Sequence, residues 1–306
     1  MQKSLNVPVR FDGVGLHSGQ PVSMTVYPAA ANFGIQFNRT DVSGHSRILA
    51  RWDYVETETR LCTKLLNTAG LSVSTVEHVM AALAGCGIHN ALIDISGPEV
   101  PILDGSSKPF VEAFLKAGLK TQIAPVGVIK VLKRVSVQNG ESIATLEPMN
   151  GFEIDFQIEF DDPAIGHQAK TLCMSNGSFV RELCDSRTFC RQTDVDAMRA
   201  AGLALGGSLE NAVVIDHDKV LSPGGLRHSD EAVRHKMLDA LGDLYLAGAP
   251  LLGRYTGFRA GHALTNQLLR AVFSDPEAFE FVTCTTELAL RLPGVGVSAS
   301  DLPAAA

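Results

Sequence analysis

Apolar residues recur along this chain with two periods, and the switches between them mark its elements. Residues 1–60 are strand-rich: NVPVRF (6–11), VSMTVYP (22–28) and GIQFN (34–38) stand between Gly, Asn and Asp turn signals, and an antiparallel meander is expected. The Gly-rich GVGLHSG (13–19) between the first two runs reads as a simple connection carrying His17, in preference to the rim of a cleft. In SVSTVEHVMAALAGCG (72–87) the period lengthens, with Val76, Val79, Met80 and Leu83 at i, i+3, i+4 and i+7. A short amphipathic helix ending at Gly85 is expected, with His78 off its apolar stripe and Ser74 and Glu77 spaced as a capping box. HNALIDIS (89–96) alternates again, GPEVPILDGSS (97–107) is a loop carrying Asp104, and SSKPFVEAFLKAGL starts another helix.

The composition shifts near TQIAPVG (121–127), after which VIKVLKRVSVQ, SIATLEP and FEIDFQIEF read as three strands. A helix over 229–248, a strand LLGRYTGFR (251–259) and a helix GHALTNQLLRAVF (261–273) follow. Each half therefore runs meander, helix, strand, loop, helix, with no residue-level identity between the halves. The fold class is α+β, with two similar domains over 1–124 and 125–306 and an insert at about 188–214. Within 187–217 a short helix near Thr193–Ala201 and a strand near Leu209–Ile215 are expected. This small, apolar run is either an added βαβ layer of core or the lining of a channel for an apolar chain.

Helix 229–248 has one odd stripe. Val233, Met237, Leu241 and Leu244 form its core face, Ser229 can cap its start and Gly248 can end it. His235, Asp239 and Asp243 fall at i, i+4 and i+8, flanked by Lys236. A solvated polar face is the bland account. However, two aspartates one turn apart repel by about 0.2–0.5 kcal/mol, so the row suits a cation or an imidazolium.

Composition narrows the classes of function. The 306 residues are 45% hydrophobic and 19% charged, as in ordinary globular proteins, and the formal charge of −7 argues against a nucleic-acid partner. Six cysteines without a C-x-x-C pair read as reduced thiols, and no apolar run is long enough to span a bilayer, so a cytoplasmic protein without an integral membrane segment is expected. No protein partner is called for.

If the halves pack through their helices, His78 meets His235 and Asp239, giving a two-His, one-carboxylate zinc site with an open position for water. Glu77, about 100° round its helix from His78, would be placed as general base. Asp243 would hold His262 charged, and Thr188 or Lys236 would steady an oxyanion.

These residues sit in long stretches that resemble one family. STVEHVMAALAGCGIHN (74–90), PEVPILDGSSKPF (98–110), RTF (187–189), LALGGSLENAVV (203–214), VRHKMLDALGDL (233–244) and GHALTNQLL (261–269) are similar to the zinc-dependent UDP-3-O-acyl-N-acetylglucosamine deacetylases of lipid A biosynthesis. The likeness runs from GVGLHSG to the last helix. It implies a β-α-α-β sandwich with the site at the interface, Zn²⁺ on His78, His235 and Asp239, and Glu77 as base. It also implies His262 as the charged group oriented by Asp243, Thr188 as oxyanion donor, and Lys236 near the scissile amide and the diphosphate. The insert would line a passage for the acyl chain with Val195, Met198, Ala204, Ser208, Ala212 and Val214, and Phe189 would also bind the substrate. The substrate would be a UDP-sugar lipid precursor losing its 2-acetyl group, and the fused dehydratase domain of some relatives is expected to be absent. Two rivals are a peptide-cleaving zinc hydrolase, disfavoured by the lack of H-E-x-x-H, and a non-catalytic nucleotide-sugar or acyl-carrier binder.

Overall fold

The computed structural model describes residues 1–57 and 61–302, so the last positions of the strand-rich 1–60 stretch lie outside the described residues. Helices α1 (Glu77–Cys86), α2 (Lys108–Ala117), α3 (Ser178–Glu182), α4 (Gln192–Ala200), α5 (Glu231–Tyr245), α6 (His262–Phe273) and α7 (Thr286–Ala289) accompany several sheets. A five-stranded sheet built from residues 9–95 backs the first half. A seven-stranded sheet built from residues 127–283 backs the second, with Leu251–Phe258 at its centre. The fold is mixed α+β. α1 packs on α5 and on α2, and α6 packs on α5 and on the strands Val135–Asn139 and Ser142–Glu147. The helix pairs thus lie between the two sheets, in one continuous apolar core.

The sheets depart from simple meanders. Pro21–Pro28 pairs antiparallel with Val9–Val14 as expected, but Ala91–Ile95 inserts between Pro21–Pro28 and Ile35–Arg39, running parallel to the latter. Ala91, Ile93 and Ile95 are fully buried, and the central position suits so apolar a strand. The expected strand VIKVLKRVSVQ is two strands, Gly127–Val131 and Val135–Asn139, because the polar Lys133 and Arg134 fall where the chain turns away.

At α1 the capping box does not form. Ser74 ends the strand Ser72–Ser74 and its hydroxyl donates to the Pro98 carbonyl. Thr75 then turns the chain with φ of 57°, a left-handed conformation that strains a β-branched residue. The Thr75 hydroxyl donates to the buried Glu99 carboxylate at 3.0 Å, which holds the turn. Glu77 is thereby released from its own helix start. Gly85 does not end α1; it lies against the Phe179 ring, and Gly87, with φ of 68°, terminates the helix. All ten residues of α1 are buried, so its apolar stripe marks only one of several packed faces.

α5 starts after Asp230 instead of Ser229, without a side-chain cap, and its polar row is as buried as its apolar one. α5 presses on the α1 backbone at Gly242, where a β-carbon would strike the Glu77 carbonyl oxygen. Only glycine allows the two helices this contact. Gly242→Ala is expected to lower stability by about 1–3 kcal/mol by overpacking, read as a lower midpoint in denaturant unfolding. An unchanged midpoint would contradict the close approach.

Candidate functional site

The site forms where α1 meets the middle of α5. His78, His235 and Asp239 each offer one ligand atom, all within 4.8 Å of one another and all buried. The i, i+4 spacing on α5 puts His235 Nε2 at 3.3 Å from Asp239 Oδ1, and α1 brings His78 Nε2 to 3.6 Å from the same oxygen. His235 Nδ1 lies 3.0 Å from the Ser186 carbonyl. A carbonyl only accepts, so the proton sits on Nδ1 and the Nε2 lone pair faces the cluster. Burial pushes His235 down to about 4, against the pull of Asp239, so the ring is neutral.

Burial also opposes charge on Asp239, but His235, Lys236 and His262 outweigh it and hold the carboxyl well below its ordinary range. Asp239 Oδ1 is nonetheless buried without a hydrogen-bond donor. A buried anionic oxygen flanked by two imidazole nitrogens is costly in isolation and suits a divalent cation with N and O ligands.

A second cluster adjoins the first. The Glu77 Oε2 accepts the Thr63 backbone N–H at 3.0 Å, while Oε1 lies 3.7 Å from His262 Nε2. His262, the first residue of α6, presents Nδ1 to Asp243 Oδ2 at 2.9 Å and Nε2 to Asp239 Oδ2 at 3.7 Å. Burial alone would lower His262; Asp243, Glu77 and Asp239 overcome it and hold the imidazolium up to about 9. Burial raises the Glu77 carboxyl, and His262 and His78 offset part of that rise. A carboxylate biased toward holding a proton thus stands beside a charged imidazole, a pairing suited to acid–base work.

Lys236 Nζ donates to Asp239 Oδ2 at 2.8 Å, so its charge is already partly engaged at the cluster. The Thr188 backbone is pinned on both sides, its N–H donating to Gly105 and its carbonyl accepting from Val213. Both residues line a groove of about 690 Å³ that reaches His235, Asp239 and His262. Phe189, Val195, Met198, Ala204, Ser208, Ala212 and Val214 are all on its wall. The insert that carries them is a β-α-β unit in which Phe189–Arg191 runs parallel to Val213–Asp216 with α4 between. A polar pocket of about 780 Å³, with Ser142, Glu159, Asp161 and Arg259 on its walls, meets the groove at Phe160, Arg191 and Lys236.

Sequence reasoning missed several of these residues. His17, read as part of a simple turn, is on the groove wall with both ring nitrogens buried and unpartnered. Its turn is held by Glu99, whose carboxylate accepts the His17 and Ser18 N–H groups, each at 2.8 Å. No spacing linked Glu99 to His17. Phe160, Arg191 and Arg259 were invisible because the polar pocket draws on segments far apart in sequence: the strands Ser142–Glu147, Phe152–Glu159, Phe189–Arg191 and Leu251–Phe258 with the residues beside them, and α5. No helix among the described residues is long and apolar enough to cross a membrane.

Known proteins share this sequence nearly end to end. Residues 2–274 match the family described as UDP-3-O-acyl N-acetylglycosamine deacetylase. The UDP-3-O-acyl-N-acetylglucosamine deacetylase of Shewanella frigidimarina (strain NCIMB 400) is 46% identical over 288 residues, 94% of each chain. That of Shewanella baltica (strain OS155 / ATCC BAA-1091) is 44% identical over 304 residues, 97% of this chain and 99% of the relative. By the extent of both matches, this chain belongs to the UDP-3-O-acyl N-acetylglycosamine deacetylase family.

Proposed function

We propose that this protein hydrolyses the 2-acetamido group of UDP-3-O-(3-hydroxyacyl)-N-acetylglucosamine to the free amine and acetate. The reading places it in the cytoplasm, at an early committed step of lipid A biosynthesis, with one zinc ion held by His78, His235 and Asp239. One observation carries it: the imidazole–carboxylate cluster opens onto an apolar groove that meets a polar, cation-bearing pocket at Phe160, Arg191 and Lys236, the last bonded to Asp239 of the cluster. A substrate with an acyl chain, a central amide and an anionic nucleotide head needs an apolar groove, a reacting cluster and a polar pocket within reach of one another.

Zinc, when bound, supplies Lewis-acid chemistry: it polarises an amide carbonyl and makes water acidic enough to lose a proton near pH ~7. The chain's own groups carry the proton inventory. Glu77 Oε1, left free by Thr63, takes a proton from the attacking water as the C–O bond forms. Thr188 donates to the oxyanion, and the charged His262 stabilises the same negative charge. When the C–N bond breaks, the proton passes to the departing amine from Glu77 or His262. Lys236 and the arginines of the polar pocket hold the diphosphate, with Phe160 offered to the base and Glu159 and Asp161 to its polar edges.

The acyl requirement tests this reading. Each methylene buried in the groove contributes about 0.8 kcal/mol, so about four of them are worth more than 100-fold in kcat/KM. The zinc-loaded enzyme is expected to release acetate from the 3-O-acylated UDP-sugar at least about 100-fold more efficiently than from the unacylated one. Equal efficiency on both, or no acetate from either, would contradict the proposal.

A further inference from the structure

We propose that Thr63 is a positioning residue for the hydrolysis, orienting the base Glu77 through its backbone and the Asp243–His262 pair through its hydroxyl. The inference rests on the roles given above to Glu77 and His262. Thr63 is 1% exposed and touches the start of α1, α5 and α6 at once. Its backbone N–H donates to Glu77 Oε2 at 3.0 Å, and its carbonyl accepts the Val76 N–H at 3.3 Å. It directly precedes the strand Lys64–Leu66, which pairs with the strand Ser72–Ser74 leading to α1, so this grip on Glu77 is set by one short hairpin.

The hydroxyl has no freedom of direction. A carboxylate only accepts and an amide NH₂ only donates, so Thr63 Oγ1–H donates to Asp243 Oδ1 at 2.5 Å and its oxygen accepts from Asn266 Nδ2 at 3.1 Å. Asn266, one turn into α6, also donates to the His262 carbonyl at 2.9 Å. One Asp243 oxygen is therefore committed to Thr63 and the other is left for His262 Nδ1. In the same way the backbone bond commits Glu77 Oε2 and leaves Oε1 toward His262 Nε2. Thr63 thus ties the orientation of the base to that of the charged imidazole, although it does not line the apolar groove.

Three variants of the zinc-loaded enzyme test this, assayed by acetate release from the 3-O-acylated UDP-sugar. Thr63→Val keeps the shape and the backbone N–H but loses the hydroxyl; kcat is expected to fall about 10- to 100-fold with KM within about twofold and zinc content unchanged. Thr63→Ser restores the hydroxyl and is expected within about threefold of the parent kcat. Thr63→Val added to Asp243→Asn is expected to cost less than about threefold more, since both act through one carboxylate. Should the valine variant not fold, Thr63→Ala takes its place with the same expectations. A hydroxyl-free variant within about threefold of the parent, a serine variant as slow as the valine one, or equal losses in the parent and Asp243→Asn backgrounds would each overturn the proposal. Full activity in Glu77→Gln and Asp243→Asn alone would instead sink the roles on which it rests.

Discussion

Glu77→Gln is expected to lower kcat by about 10²- to 10⁴-fold, the range that general acid–base catalysis supplies. The substitution is nearly isosteric. A Gln side-chain oxygen can still accept the Thr63 N–H that Glu77 Oε2 accepts at 3.0 Å, so the start of α1 keeps its structure. The proton-accepting oxygen opposite His262 is replaced by an NH₂ group that cannot take a proton. KM and zinc content should stay near those of the parent, because the metal ligands and the groove walls are other residues. Steady-state kinetics with metal analysis checks this, and a Gln variant within about threefold of the parent kcat would remove Glu77 from the mechanism.

The second large effect concerns His262 and Asp243. His262→Ala is expected to cost about 10²- to 10³-fold in kcat, as loss of one preorganised charge facing a developing oxyanion does. Asp243→Asn should approach the same loss by a different route. The amide can accept from Thr63 through its oxygen but then turns its NH₂ toward His262 Nδ1, which must become the acceptor. The imidazole is then neutral, whereas Asp243 with Glu77 and Asp239 holds it charged, up to about 9, in the parent. The double variant is expected to be no slower than the worse single one, since the two residues act as a unit. Independent, multiplicative losses would contradict the pairing.

Much of this site was legible because part of it is local. His235, Asp239 and Asp243 share a row on any helix, and the repulsion within that row already called for a positive partner. The approach of His78 was conditional on the halves meeting, which depends on Gly242, a residue with no side chain to signal its role. Glu77 was ambiguous for the opposite reason: its local spacing to Ser74 fitted a capping box, and a strained turn at Thr75 overrode that pattern. Thr63 and Glu99 were illegible, since each works through backbone N–H groups or partners far off in sequence. Strand order was misread where Ala91–Ile95 enters a sheet begun many residues earlier, since alternation reports burial and not neighbours.

The account centres on one zinc held between the two halves, and reconstitution tests that most directly. Chelator-treated protein is expected to lose acetate release from the 3-O-acylated UDP-sugar and to regain it in proportion to added zinc, saturating at about one ion per chain. His78→Ala and His235→Ala protein should each fail to retain that ion after desalting. Full turnover by metal-free protein, or zinc retained at one per chain in both variants, would contradict it.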